Sequence, residues 1–198
     1  MIAIVDYGAG NLNSVTKAFD YLGFPVTVTR DSSDLAAAEK VVLPGVGHFS
    51  ALSALDAAGI RDALLEGIHG GKPFLGICLG MQWLFEGSEE APELAGAGLL
   101  AGKCRQFSPQ VKSPHVGWNS LLIAGTETPR LFRDLPAEPF VYFTHSFYAP
   151  VTAATSAITD YGLAFSAAVE RDNVFGVQFH PEKSGAAGLR ILKTFCEV

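Results

Sequence analysis

Two short segments carry residue types that do covalent chemistry. Residues 73–81, Pro-Phe-Leu-Gly-Ile-Cys-Leu-Gly-Met, place a lone cysteine, Cys78, where an apolar strand is expected to give way to a helix, with Gly76 and Gly80 on either side. Strand, small residue, nucleophile, small residue, helix is the order of a nucleophile elbow, a sharp turn that lifts the reactive side chain to the carboxyl edge of a sheet. Such a turn aims the first N–H groups of the helix at the sulfur, which favours thiolate over thiol. A cysteine in an apolar run is more often a small buried hydrophobe; the glycine pair and the element order argue here for a reactive one.

A thiol needs a base, and the second segment supplies one: Val177-Gln178-Phe179-His180-Pro181-Glu182. Extended backbone puts residues i and i+2 on one face, and Pro181 biases His180 towards extended conformations. His180 and Glu182 are therefore expected to point the same way, the carboxylate fixing the imidazole tautomer and steadying the imidazolium. A lone histidine at a strand end is usually a satisfied core or surface residue, but this spacing beside a candidate thiol favours catalysis.

Chemistry at a carbonyl carbon also needs donors for the developing oxyanion. The elbow offers the N–H of Leu79. The loop Pro44-Gly45-Val46-Gly47 offers a second, because glycine on both sides lets the Val46 peptide turn its N–H inward; taken alone, the same residues suit a plain strand-to-helix turn.

These segments need a frame. Apolar runs resembling buried parallel strands (Met1–Val5, Pro25–Thr29, Lys40–Leu43, Lys72–Ile77) alternate with helical patterns (Leu12–Leu22, Phe49–Ala58, Ile60–His69, and Cys78 to about Glu86). That alternation predicts an α/β fold with a largely parallel central sheet flanked by helices. After Gly87, seven prolines between 92 and 150 and short alternating segments such as Phe140–Phe143 predict antiparallel β with long connections. Arg171-Asp172-Asn173 reads as a turn between Leu163–Glu170 and Val174–Phe179, the second arm delivering His180. An amphipathic helix at about Gly185–Cys196 closes the chain, with Leu189, Leu192 and Phe195 towards the sheet.

At 198 residues the chain suits one domain, 1–198, rather than two. A formal charge of −6, with no run among its 14 Lys and Arg, argues against a nucleic-acid partner. No apolar run approaches the roughly 20 residues of a membrane span, and the first residues lack the charge pattern of a signal peptide. Three scattered cysteines, 78, 104 and 196, make neither a disulfide framework nor a metal site, which fits a reducing cytoplasm; Cys104 and Cys196 are expected to be inert. Only 17% of residues are charged and mean hydropathy is +0.26, which hints at an apolar partner interface.

Gly76-Ile77-Cys78-Leu79-Gly80-Met81-Gln82 with His180-Pro181-Glu182 resembles the class I glutamine amidotransferases. Asp6-Tyr7-Gly8-Ala9-Gly10-Asn11-Leu12, Pro44-Gly45-Val46-Gly47, Pro114-His115-Val116-Gly117-Trp118-Asn119 and Gln178–Ser184 narrow the resemblance to the glutaminase subunits of imidazole glycerol phosphate synthases. The resemblance spans residues 6 to 184. It implies a flavodoxin-like amidotransferase fold, Cys78 as nucleophile, His180 as acid and base, Glu182 as its orienting group, and an oxyanion hole at Val46 and Leu79, with Gly45 and Gly47 shaping the site. It implies that Gln82 and the backbone of His145, Ser146 and Phe147 hold the amino-acid end of glutamine, with no metal and no cofactor.

It further implies a (β/α)₈ cyclase subunit as heterodimer partner. That partner would consume the ammonia to make imidazole glycerol phosphate and an aminoimidazole carboxamide ribotide. It would meet the face bearing the Asp6–Leu12 loop with Asn11, the Pro44–Phe49 loop and the His115–Asn119 loop with Asn119, with Trp118 and Tyr142 as apolar anchors. Idle hydrolysis is expected to be suppressed until the partner binds. Three rival readings remain: a non-catalytic scaffold, a stand-alone cysteine hydrolase of the same elbow architecture, and the glutaminase subunit of pyridoxal phosphate synthase, where Gly117-Trp118-Asn119 is not expected.

Overall fold

The computed structural model describes residues 1–57, 59–125, 127–136 and 138–198. The apolar runs become strands β1 (Ile2–Val5), β2 (Val26–Thr29), β3 (Lys40–Gly45) and β4 (Phe74–Cys78), interleaved with helices α1 (Leu12–Tyr21), α2 (Ser32–Ala37), α3 (Ser53–Ala57) and α4 (Ile60–His69). A five-residue helix α5 (Leu79–Trp83) follows β4 directly. The second half contributes β5 (Gly87–Ser88), β6 (Lys103–Gln106), β7 (His115–Ser120), β8 (Leu122–Ile123), β9 (Phe140–His145), β10 (Phe147–Tyr148), β11 (Thr155–Asp160), β12 (Ala164–Arg171) and β13 (Val174–Val177), before α6 (Gly185–Glu197).

Eight strands form the central sheet in the order β2-β1-β3-β4-β13-β12-β11-β8. The first five are mutually parallel and the rest antiparallel. Strands β1 and β4 are buried along their whole length, because helices cover both faces. Alternate residues of β1 divide between two cores: Ile2 and Ile4 pack with Val15 and Phe19 of α1 and Ile191, Leu192 and Phe195 of α6, whereas Ala3 and Val5 pack with Leu35 of α2 and Leu64 and Ile68 of α4.

Parallel pairing gathers the carboxyl ends of β3, β4 and β13 at one edge. Register sets Gly45 beside Cys78 and Val177 beside Ile77, so the Gly45–Gly47 loop, the cysteine and the Gln178–His180 segment emerge side by side. That edge is where ligands bind in open α/β sheets.

Several expected boundaries move. The Cys78 helix stops at Trp83 rather than near Glu86, and the chain then enters a separate three-stranded sheet, β10-β6-β5. The Phe49–Ala58 segment divides into a 3₁₀ turn at Phe49–Leu52 and α3; its last residue lies outside the described residues. Helix α2, with Asp31 accepting from the Ser33 N–H at 2.8 Å, had too short a period to register in the sequence. The turn at Arg171–Asn173 forms where expected, with Asp172 taking φ 53°.

Candidate active site

Cys78 sits at φ 53°, ψ −105°, a conformation that costs a side-chain-bearing residue about 1–3 kcal/mol and survives only where the surroundings enforce it. The two flanking glycines do so by close approach. A Cβ on Gly80 would overlap the Leu43 carbonyl of β3, and one on Gly76 would overlap the Gly80 carbonyl. The elbow therefore closes backbone against backbone. Leu79, first residue of α5, carries an N–H that the helix itself leaves unpaired.

On the neighbouring strand, His180 is held from both sides. Its N–H donates to the Tyr142 carbonyl of β9 at 2.9 Å, and its own carbonyl accepts from Ser184 Oγ at 2.6 Å. Its Nδ1 meets Glu182 Oε1 at 2.9 Å, with the two side chains 2% and 1% exposed. Burial opposes charge on the imidazole. The adjacent Cys78 sulfur and the Glu182 carboxylate outweigh it and raise His180 to about 9. His180 Nε2 and Glu182 Oε2 are buried and make no hydrogen bond.

Beside Cys78 opens a cavity of about 160 Å³, lined by Val46, Gly47, Cys78, Leu79, Gln82, Thr144, His145, Ser146 and Phe147. Every expected substrate-side residue except Gly45 borders it. Gly45 instead packs beneath: a Cβ there would overlap the Tyr7 hydroxyl and press on Leu79. His48, next along the loop, caps the following 3₁₀ turn by accepting from the Ser50 N–H at 3.2 Å.

Gln82 uses both amide hydrogens internally, on the Phe147 carbonyl at 3.0 Å and on Gln178 Oε1 at 3.1 Å. That leaves its carbonyl oxygen as the group it offers a ligand. A larger hollow of about 840 Å³ lies between α2 and α4, among Ser32, Asp62, Glu66 and Lys72. It holds neither a thiol nor an imidazole among its described residues, whereas the smaller cavity is lined by Cys78 and His145.

The residues expected at an interface separate into three environments. Trp118 is 56% exposed and its ring stands edge-on to Tyr142, centroids 6.1 Å apart. Asn119, next in β7, turns to the opposite face and donates to the Asp160 carbonyl at 3.1 Å. Asn11 accepts from the Ser14 N–H at 3.4 Å as the N-cap of α1.

Three residues at the site were not singled out from the sequence. Gln178 donates to the Cys78 sulfur at 3.6 Å, Ser184 holds the His180 carbonyl, and the Thr144 carbonyl lies 4.0 Å from Sγ. The signal for Gln178 was present: it stands two residues before His180 and so shares its side of an extended segment.

The family model for class-I glutamine amidotransferases matches residues 3–198. A protein of Methanothermobacter thermautotrophicus named imidazole glycerol phosphate synthase subunit HisH is 48% identical over 200 residues, covering 100% of this chain and 98% of the relative. A HisH subunit of Gloeobacter violaceus is 49% identical over 203 residues, covering 99% of this chain and 88% of the relative. Among solved structures, a glutamine amidotransferase shares the fold with TM-score 0.77 at 19% identity, covering 100% of this chain and 98% of that one. The glutaminase domain of Trypanosoma brucei CTPS shares it with TM-score 0.67 at 18% identity, covering 99% and 93%. A buried histidine–glutamate pair beside a cysteine elbow thus accompanies full-length similarity to enzymes that work on glutamine, and the chain belongs to the class-I glutamine amidotransferase family, in its branch of imidazole glycerol phosphate synthase HisH subunits.

Proposed function

We propose that the chain, acting as one amidotransferase domain over residues 1–198, hydrolyses glutamine to glutamate and ammonia and hands the ammonia to a (β/α)₈ cyclase subunit. The observation that carries this reading is the buried His180–Glu182 pair, 2.9 Å apart, behind the Cys78 sulfur, which itself lines a cavity.

In this mechanism the Cys78 thiolate attacks the side-chain amide carbon, and the carbonyl π electrons move onto oxygen, which rests on the N–H groups of Leu79 and Val46. The C–N bond then breaks as His180 gives its proton to the leaving nitrogen, releasing ammonia and leaving a γ-glutamyl thioester. Water attacks the thioester with His180 as base, a carbon–oxygen bond replaces the carbon–sulfur bond, and glutamate leaves. Glu182 keeps Nδ1 protonated throughout, so Nε2 alone exchanges protons. The Gln82 carbonyl suits the α-ammonium of glutamine, and the His145–Phe147 segment forms the adjoining wall. The residues present ask for no metal or cofactor.

The partner reading rests on the outer face of the two-stranded β7–β9 sheet. Val116, Trp118 and Phe140 are 55, 56 and 58% exposed and lie with Tyr142 on one side of the ladder. Such a concentration of apolar surface marks an interaction site and sets the reading apart from a stand-alone hydrolase. No helix among the described residues is long and apolar enough to cross a membrane.

The test is ammonia release from glutamine by the purified chain, alone and beside a cyclase barrel loaded with its nucleotide. Release that needs Cys78 and rises with the barrel supports the reading; equal rates with and without it would remove the partner's role.

A further inference from the structure

Behind the cavity wall runs one hydrogen-bonded chain whose direction is set by a single oxygen. The Phe147 carbonyl can only accept. It receives Gln82 Nε2 at 3.0 Å and faces His145 Nδ1 at 2.8 Å, so His145 carries its proton on Nδ1 and both lone pairs are filled. The second Gln82 amide hydrogen goes to Gln178 Oε1 at 3.1 Å, which turns the Gln178 amide N–H towards the Cys78 sulfur at 3.6 Å.

The other arm is equally determined. Burial pushes His145 down to about 3 and His115 to about 4, so both imidazoles are neutral. With its proton on Nδ1, His145 must accept at Nε2, and His115 Nδ1 donates to it at 3.0 Å. His115 Nε2 then accepts from Asn119 Nδ2 at 3.4 Å. Reversing any one member would set two donors or two acceptors face to face in a buried region, where an unmet polar group costs about 1–3 kcal/mol. Gln178, His145 and His115 are 0, 6 and 3% exposed, so water does not relieve such a conflict.

We propose that Gln178 is a positioning residue for the nucleophile, holding the Cys78 sulfur through its amide N–H, and that Gln82, anchored on the Phe147 carbonyl, sets the direction in which that amide points. The proposal rests on Cys78 being the nucleophile of the proposed function. An N–H on sulfur favours the charged form and restrains the side chain, so the attacking lone pair keeps one aim. Gln178 touches the sulfur from within the core and does not border the cavity, and Gln82 keeps its bond to the Phe147 carbonyl without it, so its loss acts first on the nucleophile's reactivity rather than on glutamine affinity.

The experiment compares wild type with Gln178→Met, which keeps the length and removes the donor to sulfur together with the acceptor for Gln82, and with Gln82→Met, which leaves Gln178 in place and removes the donor that orients its amide. Alkylation of Cys78 by iodoacetamide is followed by peptide mass spectrometry, which separates it from Cys104 and Cys196. Glutamine turnover is measured in parallel with the barrel partner.

Gln178→Met is expected to slow Cys78 alkylation by about tenfold or more, lowering kcat in step while KM stays within about twofold. Gln82→Met is expected to slow alkylation in the same direction and by less, since the freed Gln178 amide can then point either end at the sulfur. Folded Gln178→Met alkylated within about twofold of wild type overturns the proposal, as does Gln82→Met alkylated at the wild-type rate. If Gln178→Met does not fold, Gln82→Met decides alone. Iodoacetamide needs no glutamine, so absent glutamine turnover would count against the proposed function and leave this comparison intact.

Discussion

At the His180 side chain, burial and two neighbours pull in opposite directions, and the neighbours win. In the folded protein its Cε1–H resonance is expected to titrate near pH 9 rather than 6.5, followed by NMR on histidine-labelled chain. Glu182→Gln removes one of the two favourable partners and permits the wrong tautomer; turnover is expected to fall about 10²–10⁴-fold with the fold retained. Cys78→Ala is expected to lower ammonia release by at least about a thousandfold while leaving circular dichroism unchanged. The triad candidates were legible in the sequence because each is announced by its flanks: glycines around Cys78, proline and a carboxylate around His180. Ser184 and Thr144 were not, since their roles depend on which strand lies opposite, and β9 is far from both segments in the chain.

Among the elements, the junction of β3 with α5 is the tightest. Gly80→Ala places a methyl group on the Leu43 carbonyl, with no flexible side chain to yield. The variant is expected to lose about 3 kcal/mol or more, read as a lower urea midpoint, and to lose activity in proportion to elbow distortion. The parallel strands were readable from the sequence because strands buried on both faces are continuous apolar runs. The 3₁₀ break at Phe49–Leu52 and the early end of α5 were not: neither changes the apolar count, and both follow from where the chain must turn to meet its neighbours. The β10-β6-β5 sheet was equally hidden, because two-residue strands such as β5 have no periodicity to detect.

For the molecule as a whole, the three buried histidines pull stability in opposite directions with pH. His115 and His145 have depressed values, so the stability they contribute is present above about 6.5 and is lost as pH falls through about 4 and 3. His180 is raised, so its contribution is complete below about 6.5 and lost as pH rises through about 9. Urea midpoints measured across pH 4 to 10 are expected to peak between these limbs, with His180→Asn flattening the alkaline limb and His115→Phe the acid one. Trp118→Ala should weaken capture of the barrel partner by about tenfold or more. Its own stability should change by less than about 0.5 kcal/mol, because the ring is mostly in water.

Strand β7 faces two ways. Val116 and Trp118 look out to solvent, while His115 and Asn119 look in towards the sulfur's supporting chain, and six cross-strand pairs with β9 hold that alternation. A slip of one residue would exchange the faces: the tryptophan would plug the interior and the imidazoles would be handed to water. Docking and amide cleavage therefore share one alignment, and a misregistered ladder would forfeit both together rather than trade one for the other.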